Sequence, residues 1–260
     1  MTIDRKKIKK YFNSTDKRSY YYLIGGLVGL FLFSSITALA LISLAVAGFG
    51  GWQIYDTQFD KPTDAQMDEW LKDDLSRLEP DSLKKAALDS SDLVRQPVML
   101  YGPRLETVGG AEFNYQSGKD KVIRYSLVET TTIHFTEHQL ITYQCAIDLT
   151  TGNSLNVRVK RFFYKDVVSA ETETKDYTYE EKNISKQFFE NNPNAKKYIV
   201  NGKLQVNDSE TFRLTTTAGT AVEIALKIPQ FLVGAEGDFS DRLADQAISA
   251  INKMLLSKKV

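Results

Sequence analysis

The chain has 260 residues, with 33 basic and 33 acidic side chains, a net charge of zero and a sequence pI near 6.8. This balance argues against a nucleic-acid-binding protein, because such proteins usually carry a strong basic excess. The single cysteine, Cys145, excludes an internal disulfide and mildly favours a reducing compartment. We expect no cofactor, since the sequence has no phosphate-binding glycine loop and no metal-ligand spacing.

The first 18 residues form a basic head. Two aspartates, Asp4 and Asp16, oppose a larger set of cations: Arg5, Lys6, Lys7, Lys9, Lys10, Lys17 and Arg18. Positive charge beside a membrane segment is retained in the cytoplasm. We therefore predict that residues 1–18 are a cytoplasmic head.

A long uncharged block follows, at residues 19–55. A spanning helix needs about 20 apolar residues, whereas the apolar part of a signal peptide has only about 7–15. The block is therefore predicted to be a retained transmembrane anchor in a lipid bilayer. Aromatic residues favour the headgroup layer, so the following serve as predicted membrane-interface anchors: Tyr20, Tyr21 and Tyr22 at one end, Trp52 and Tyr55 at the other.

The block allows two topologies. One is a single tilted helix over residues 23–47, which would place the rest of the chain outside the cytoplasm. The other is a hairpin of two short spans that turns at Ser34-Ser35-Ile36-Thr37 and returns the chain to the cytoplasm. The spacing of Gly25 and Gly29 is of the kind that lets two helices approach closely.

Residues 56–96 are predicted to be an acidic helical linker. Thr63 and Gln66 have capping-box spacing for a helix that is expected to end at Pro80, and Asp81 begins a second short helix. Between residues 56 and 81 there are nine acidic and three basic side chains. We interpret them as a solvated helix face rather than as a docking face.

Residues 97–260 are predicted to form about seven antiparallel strands and one final helix. Asn201-Gly202 and Ala218-Gly219 mark hairpin turns. The last helix, capped by Ser240, carries one apolar stripe: Leu243, Ala247, Ile248, Ile251 and Leu255. The fold class is therefore α+β, with a small barrel or sandwich.

Short stretches of this region resemble one known family. Residues 162–169, with the sequence FFYKDVVS, are similar to a strand of bacterial pleckstrin-homology-like (PH-like) domains. Residues 212–224 resemble the hairpin that follows it, and residues 245–256 resemble the closing helix. The resemblance implies a PH-like barrel or sandwich and, because many such proteins carry a membrane hairpin, favours the hairpin in a bacterial inner membrane. Residues 176–207 depart from the pattern as an insertion that adds strands or a lid.

Two sets of residues are candidates for a site. Arg158, Lys160, Arg161 and Lys165 form a possible patch for an anionic ligand or partner, unless neighbouring acidic residues balance them: Glu171, Glu173, Glu180 and Glu181. His134 and His138 are the only histidines, and they have no third ligand at a recognisable metal spacing.

The sequence therefore favours a membrane-anchored PH-like binding or scaffold module without its own catalysis, whose partner is a protein of unknown identity. One alternative is a subunit of a larger membrane or envelope assembly. A second alternative is a metal-assisted enzyme that uses His134 and His138.

Overall fold

A computed structural model describes residues 2–13, 17–231 and 238–258 of the chain. The chain divides into two compact units, Met1–Gln66 and Met67–Val260. The first unit is helical. The second is α+β, with antiparallel sheets and a C-terminal helix.

The first unit contains a helical hairpin. A short helix α1 (Arg5–Phe12) precedes two longer helices, α2 (Lys17–Leu32) and α3 (Thr37–Gln58). Residues 33–36 form the turn between α2 and α3, as the polar Ser34 and Ser35 predict. A continuous helix over residues 23–47 is therefore wrong, because the chain reverses inside that range.

Two glycines allow the arms of the hairpin to touch. A Cβ atom at Gly26 would collide with the backbone of Ala47. A Cβ atom at Gly50 would lie 2.5 Å from the amide nitrogen of Leu23, closer than real Cβ atoms approach. The backbones of α2 and α3 are therefore in direct contact, in an antiparallel arrangement.

The prediction that Gly25 and Gly29 let the two helices approach is right for Gly29 and wrong for Gly25. Gly29 faces α3, where an added Cβ would lie 2.5 Å from the Ser43 hydroxyl oxygen. At Gly25, by contrast, a Cβ would meet no atom within 4 Å. Successive residues of a helix point in directions about 100° apart at 3.6 residues per turn, so Gly26 faces the partner helix and Gly25 does not.

The linker is one helix rather than two. Helix α4 (Asp64–Lys85) begins after Thr63, whose hydroxyl accepts a hydrogen bond of 3.3 Å from the Gln66 amide, as the capping box predicts. Contrary to expectation, α4 continues through Pro80. Proline removes one backbone donor, but buried residues lie on both sides of it and hold the helix in place: Met67, Trp70, Asp74, Leu78 and Ser82.

The described part of the second unit contains ten strands in chain order: β1 (Val98–Pro103), β2 (Tyr115–Ser117), β3 (Ile123–Tyr125), β4 (Leu127–Phe135), β5 (Gln139–Asp148), β6 (Asn153–Phe163), β7 (Val167–Glu180), β8 (Ile199–Val200), β9 (Lys203–Thr216) and β10 (Gly219–Lys227). One sheet has the order β1-β4-β5-β6 and another has the order β10-β9-β7, with β8 paired to β9. Strands β2 and β3 form a separate ribbon. All pairs are antiparallel.

The polar Ser126 separates β3 from β4. Its hydroxyl accepts a hydrogen bond from the Asn114 amide and donates one to the Glu112 carbonyl. Strand β7 runs without a break from Val167 to Glu180, into the predicted insertion. Residues 176–207 lengthen β7 and add β8 and a short helix, α5 (Lys186–Asn191).

The main core lies between the two larger sheets and is covered by the last helix, α6 (Asp238–Lys258). Its buried helical residues lie on one side of α6: Ala244, Ala247, Ala250, Ile251 and Leu255. The predicted amphipathic closing helix is therefore present, but Ser240 lies within it rather than at its cap.

The two sheets form a sandwich, and the described strands do not close into a barrel. Strands β1 and β10 touch at Gly102, where a Cβ atom would collide with the backbone of Ala225. No ladder of hydrogen bonds joins β1 to β10 among the described strands. A second core lies beside the first and includes Phe113, Phe188 and Leu204.

Candidate functional site

The hairpin presents a large apolar surface. Phe31 is 83% exposed, and other large apolar side chains of α2, α3 and the turn are also exposed: Ile24, Leu27, Val28, Leu32, Phe33, Ile36, Leu39, Leu41, Ile42, Leu44, Val46 and Phe49. Soluble proteins rarely expose apolar patches beyond a few hundred Å². The hairpin surface is therefore of the kind that contacts a membrane or another protein.

One described helix, Thr37–Gln58, is long and apolar enough to cross a bilayer by length and composition. Its most apolar window is only 11% buried, whereas a core helix of a soluble protein would be mostly buried. Helix α2 has 16 residues, fewer than the usual span of about 17–25.

The predicted interface aromatics lie at one end of the hairpin and not at two ends of a single span. Tyr21 is 71% exposed and Trp52 is 62% exposed, and the remaining members of this set, Tyr20, Tyr22 and Tyr55, are exposed as well. The antiparallel arms bring them together, because the start of α2 lies beside the end of α3. The hairpin therefore has an aromatic end and an apolar tip.

The basic head also lies at the aromatic end. Lys7 Nζ is 2.7 Å from Asp60 Oδ1, and Lys10 Nζ is 3.4 Å from Asp56 Oδ1. The hydrogen bond to Asp60 raises the pKa of Lys7. The end of α3, where the chain leaves the hairpin, therefore lies beside the basic head that precedes α2.

The four predicted basic residues do not converge on one point. Arg158 and Lys160 are exposed on one face of β6, whereas Arg161 faces the opposite side and donates a hydrogen bond to the Ala86 carbonyl. The Lys165 ammonium lies 5.7 Å from the centre of the Phe163 ring. The patch is thus reduced to two exposed cations, Arg158 and Lys160, on a strand at the edge of its sheet.

Two of the four acidic residues that were expected to balance this patch have other basic partners. Glu173 accepts a hydrogen bond of 3.0 Å from Arg213, and Glu180 lies 3.3 Å from the Lys203 ammonium. Two of the four predicted acidic residues therefore have basic partners on β9.

The two histidines lie in different environments. His134 is fully buried on β4, with Nε2 2.8 Å from the Ser82 hydroxyl of α4, and burial lowers its pKa to about 4. His138 is exposed on the turn between β4 and β5. No group of three or more His, Cys, Asp or Glu suited to a metal occurs in residues 2–13, 17–231 and 238–258.

A small cavity contains a charged cluster that was missed in the sequence. The cavity has a volume of about 170 Å³ and mostly apolar walls, which include Tyr101 and Tyr125. Arg124 is 7% exposed at this cavity and donates hydrogen bonds of 2.7 Å to both Asp68 oxygens and to Asp120 Oδ2. Burial raises the pKa of Tyr125 to about 12. The only sequence signal was the four-residue spacing of Asp120 and Arg124.

A second groove, of about 350 Å³, lies along β1, β7 and β10. Arg104 contacts Glu129 at 2.9 Å and Glu106 at 3.6 Å, while Lys175 contacts Glu223 at 2.7 Å. The described lining has one cation, Arg104, and three carboxylates, Glu106, Glu129 and Glu223, each of which contacts a basic side chain.

Comparison with known protein families, with curated proteins and with solved structures gives no match for this chain. The apolar hairpin, the basic edge strand and the two cavities are therefore the features on which a function is argued.

Proposed function

We propose that this protein is a membrane-anchored binding module, with a helical hairpin inserted in a bacterial inner membrane and a PH-like domain in the cytoplasm. The observation that carries the proposal is the exposed apolar surface of α2 and α3. Insertion in lipid removes this surface from water, which contributes roughly 1.5–3 kcal/mol for each large side chain that becomes fully buried.

The position of the head supports a cytoplasmic domain. Lys7 and Lys10 lie beside Asp60 and Asp56, at the end where α3 leaves the hairpin. Because basic flanks are retained in the cytoplasm, the chain that follows α3 begins on the cytoplasmic side as well.

The strand order supports the PH-like assignment. A four-stranded sheet, a three-stranded sheet and a C-terminal helix follow one another along the chain, with short additions. The resembling stretches fall at the crossing from β6 to β7, in the β9–β10 hairpin and in α6.

The proposed partner is an extended, acidic segment of another protein, which adds to β6 as a further strand. Main-chain hydrogen bonds at a sheet edge give affinity, and alternate side chains give specificity. Next to the cations of β6, Val157 is 39% exposed and Phe163 is 50% exposed, so the edge has apolar contacts to offer. The competing interpretation is that Arg158 and Lys160 only protect the edge against aggregation.

We propose binding rather than catalysis because the candidate nucleophile, Cys145, and the candidate base, His134, are buried and contact other side chains. Cys145 is buried, burial raises the pKa of its thiol, and its sulfur lies 3.2 Å from the Thr130 hydroxyl. A protonated, buried thiol is a poor nucleophile. His134 is held against Ser82 and not against Cys145.

The test of the binding proposal uses the full chain in nanodiscs of neutral lipid and a peptide of alternating glutamate and valine. We expect the variant Arg158→Glu/Lys160→Glu to lose affinity several-fold. The matched control, Lys196→Glu/Lys197→Glu, reverses two exposed lysines elsewhere on the same unit and should bind normally.

Equal losses in both variants, or binding to anionic vesicles without binding to the peptide, would contradict an acidic protein partner. A peptide of alternating lysine and valine should not bind, because the cations of β6 repel it.

A second candidate, a subunit of a larger membrane assembly, is favoured by two outward glycines. A Cβ atom at Gly25 or Gly48 would meet no atom within 4 Å, so another helix can approach there closely. Measurement of the protein's mass in a mild detergent tests this candidate, because a monodisperse monomer would contradict a subunit of a larger assembly.

A further inference from the structure

The first arm of the hairpin, α2, is short for an ordinary bilayer. Helix α2 has 16 residues, which corresponds to about 24 Å at 1.5 Å per residue. The hydrocarbon core of a typical bilayer is about 30 Å thick. With Arg18 held at the near interface, the turn would therefore stop several ångströms short of the far headgroups.

The tip has no side chain that anchors it at an interface. Residues 23–51 contain no Lys, Arg, Trp or Tyr, and these are the residues that mark the two faces of a spanning segment. Around the tip Phe31 is 83% exposed, Phe33 is 42% exposed and Ile36 is 51% exposed.

The backbone of the tip nevertheless needs polar partners. Helix α3 begins after Ile36, so its N-cap residue has no side-chain acceptor for the first backbone N–H groups. Irregular, lipid-exposed backbone is not tolerated inside hydrocarbon, because each unsatisfied group costs several kcal/mol. The tip must therefore reach water or headgroups, although α2 is short.

We propose that the hairpin is matched to a thin membrane, with a hydrocarbon core of roughly 24 Å. This inference rests on the proposed insertion of the hairpin and adds the kind of bilayer that it fits. In such a membrane the tip is hydrated at the far interface. In a thicker membrane the tip is buried, and its unsatisfied backbone groups make that state unfavourable.

The experiment places an environment-sensitive fluorophore at Ser34→Cys in a Cys145→Ser background and uses the full chain in phosphatidylcholine vesicles. The acyl chains range from short (myristoleoyl) to long (erucoyl), and iodide, an aqueous quencher, is present on both sides of the membrane. We expect strong quenching in short-chain vesicles and a several-fold loss of quenching in long-chain vesicles.

Two control positions separate the possible failures. The probe at Ser257→Cys should be quenched in all vesicles, because Ser257 is exposed on α6. The probe at Leu41→Cys, a 62% exposed position on α3, should be protected in all of them. If Leu41→Cys is quenched throughout, the hairpin is not inserted and the proposed function fails. If it is protected while quenching at Ser34→Cys is independent of chain length, only the thin-membrane proposal fails.

A lengthened hairpin gives an independent test. Four apolar residues, mostly leucine, are inserted after Leu30 and four more after Ala40. Both insertions lie on the tip side of the contact between Gly29 and Ser43. This adds about 6 Å to each arm and should move the loss of quenching to longer acyl chains. An unchanged dependence on chain length would overturn the proposal.

Discussion

Ser19 and Gln53 are joined across the aromatic end of the hairpin by a hydrogen bond of 2.7 Å between Ser19 Oγ and Gln53 Oε1. Ser19 is only 2% exposed, so the serine end of this bond is shielded from water. Together with the contacts of Gly26 and Gly50 it fixes the register in which α2 and α3 pack.

Substitution of the contact glycine should separate the arms. We expect Gly26→Leu to prevent close packing, because a Cβ atom there already collides with the backbone of Ala47. The matched control is Gly25→Leu, where a Cβ atom would meet open space. The measurement is the yield of a disulfide between cysteines introduced at Ser19 and Gln53, in a Cys145→Ser background.

The yield should fall several-fold with Gly26→Leu and stay unchanged with Gly25→Leu. Equal yields in the two variants would show that the arms do not pack through this glycine.

The two carboxylates that contact Arg124, those of Asp68 and Asp120, should be strongly coupled in their effects on the unfolding free energy. Asp68→Asn or Asp120→Asn alone should each cost less than about 1 kcal/mol of unfolding free energy, because the half-exposed carboxylates interact weakly and the other one remains. The double substitution should cost on the order of 3 kcal/mol, because a buried guanidinium loses both carboxylates. Urea unfolding of the full chain in detergent measures these differences.

Additive losses would contradict this account of Arg124. The pKa of Asp120, which hydrogen bonding to Arg124 lowers to about 2, provides a second reading. In the variant Arg124→Met that pKa should return toward 3.8.

The stability of the second unit should depend on pH through His134. Burial lowers the pKa of His134 from 6.5 to about 4, so between these values the unfolded chain binds a proton that the folded chain does not. This contribution to stability is therefore fully present above pH 6.5 and is lost as the pH falls toward 4, by up to about 3 kcal/mol.

Unfolding of the His134→Gln variant supplies the control. Glutamine does not titrate, so the slope of unfolding free energy between pH 6.5 and 4 should become flatter, whatever the absolute stability of the variant. An unchanged slope would mean that other groups cause the pH dependence.

Local sequence signals identified several elements correctly. Ser34 and Ser35 marked the turn of the hairpin, and Thr63 marked the start of α4. Asn201 and Gly202 both have positive φ, 52° and 71°, as their hairpin turn requires. These features depend on the residues themselves and on near neighbours, which is why the sequence alone predicts them.

Features that depend on distant residues were not predictable in the same way. The continuation of α4 through Pro80 depends on buried contacts on both sides of the proline, and the cluster of Arg124 depends on Asp68, 56 residues away. Similarly, the ion pair of Glu173 with Arg213 joins neighbouring strands across 40 residues of sequence. Tertiary packing decides these three features.

The most direct test of the membrane hairpin is the labelling of single cysteines with a membrane-impermeant thiol reagent in bacterial cells. In a Cys145→Ser background, one cysteine replaces Thr2 and another replaces Ser257, both exposed positions. We predict that neither is labelled in intact cells and that both are labelled after lysis. Labelling of the Ser257 position alone in intact cells would contradict the hairpin, because it would require a single span and a domain outside the cytoplasm.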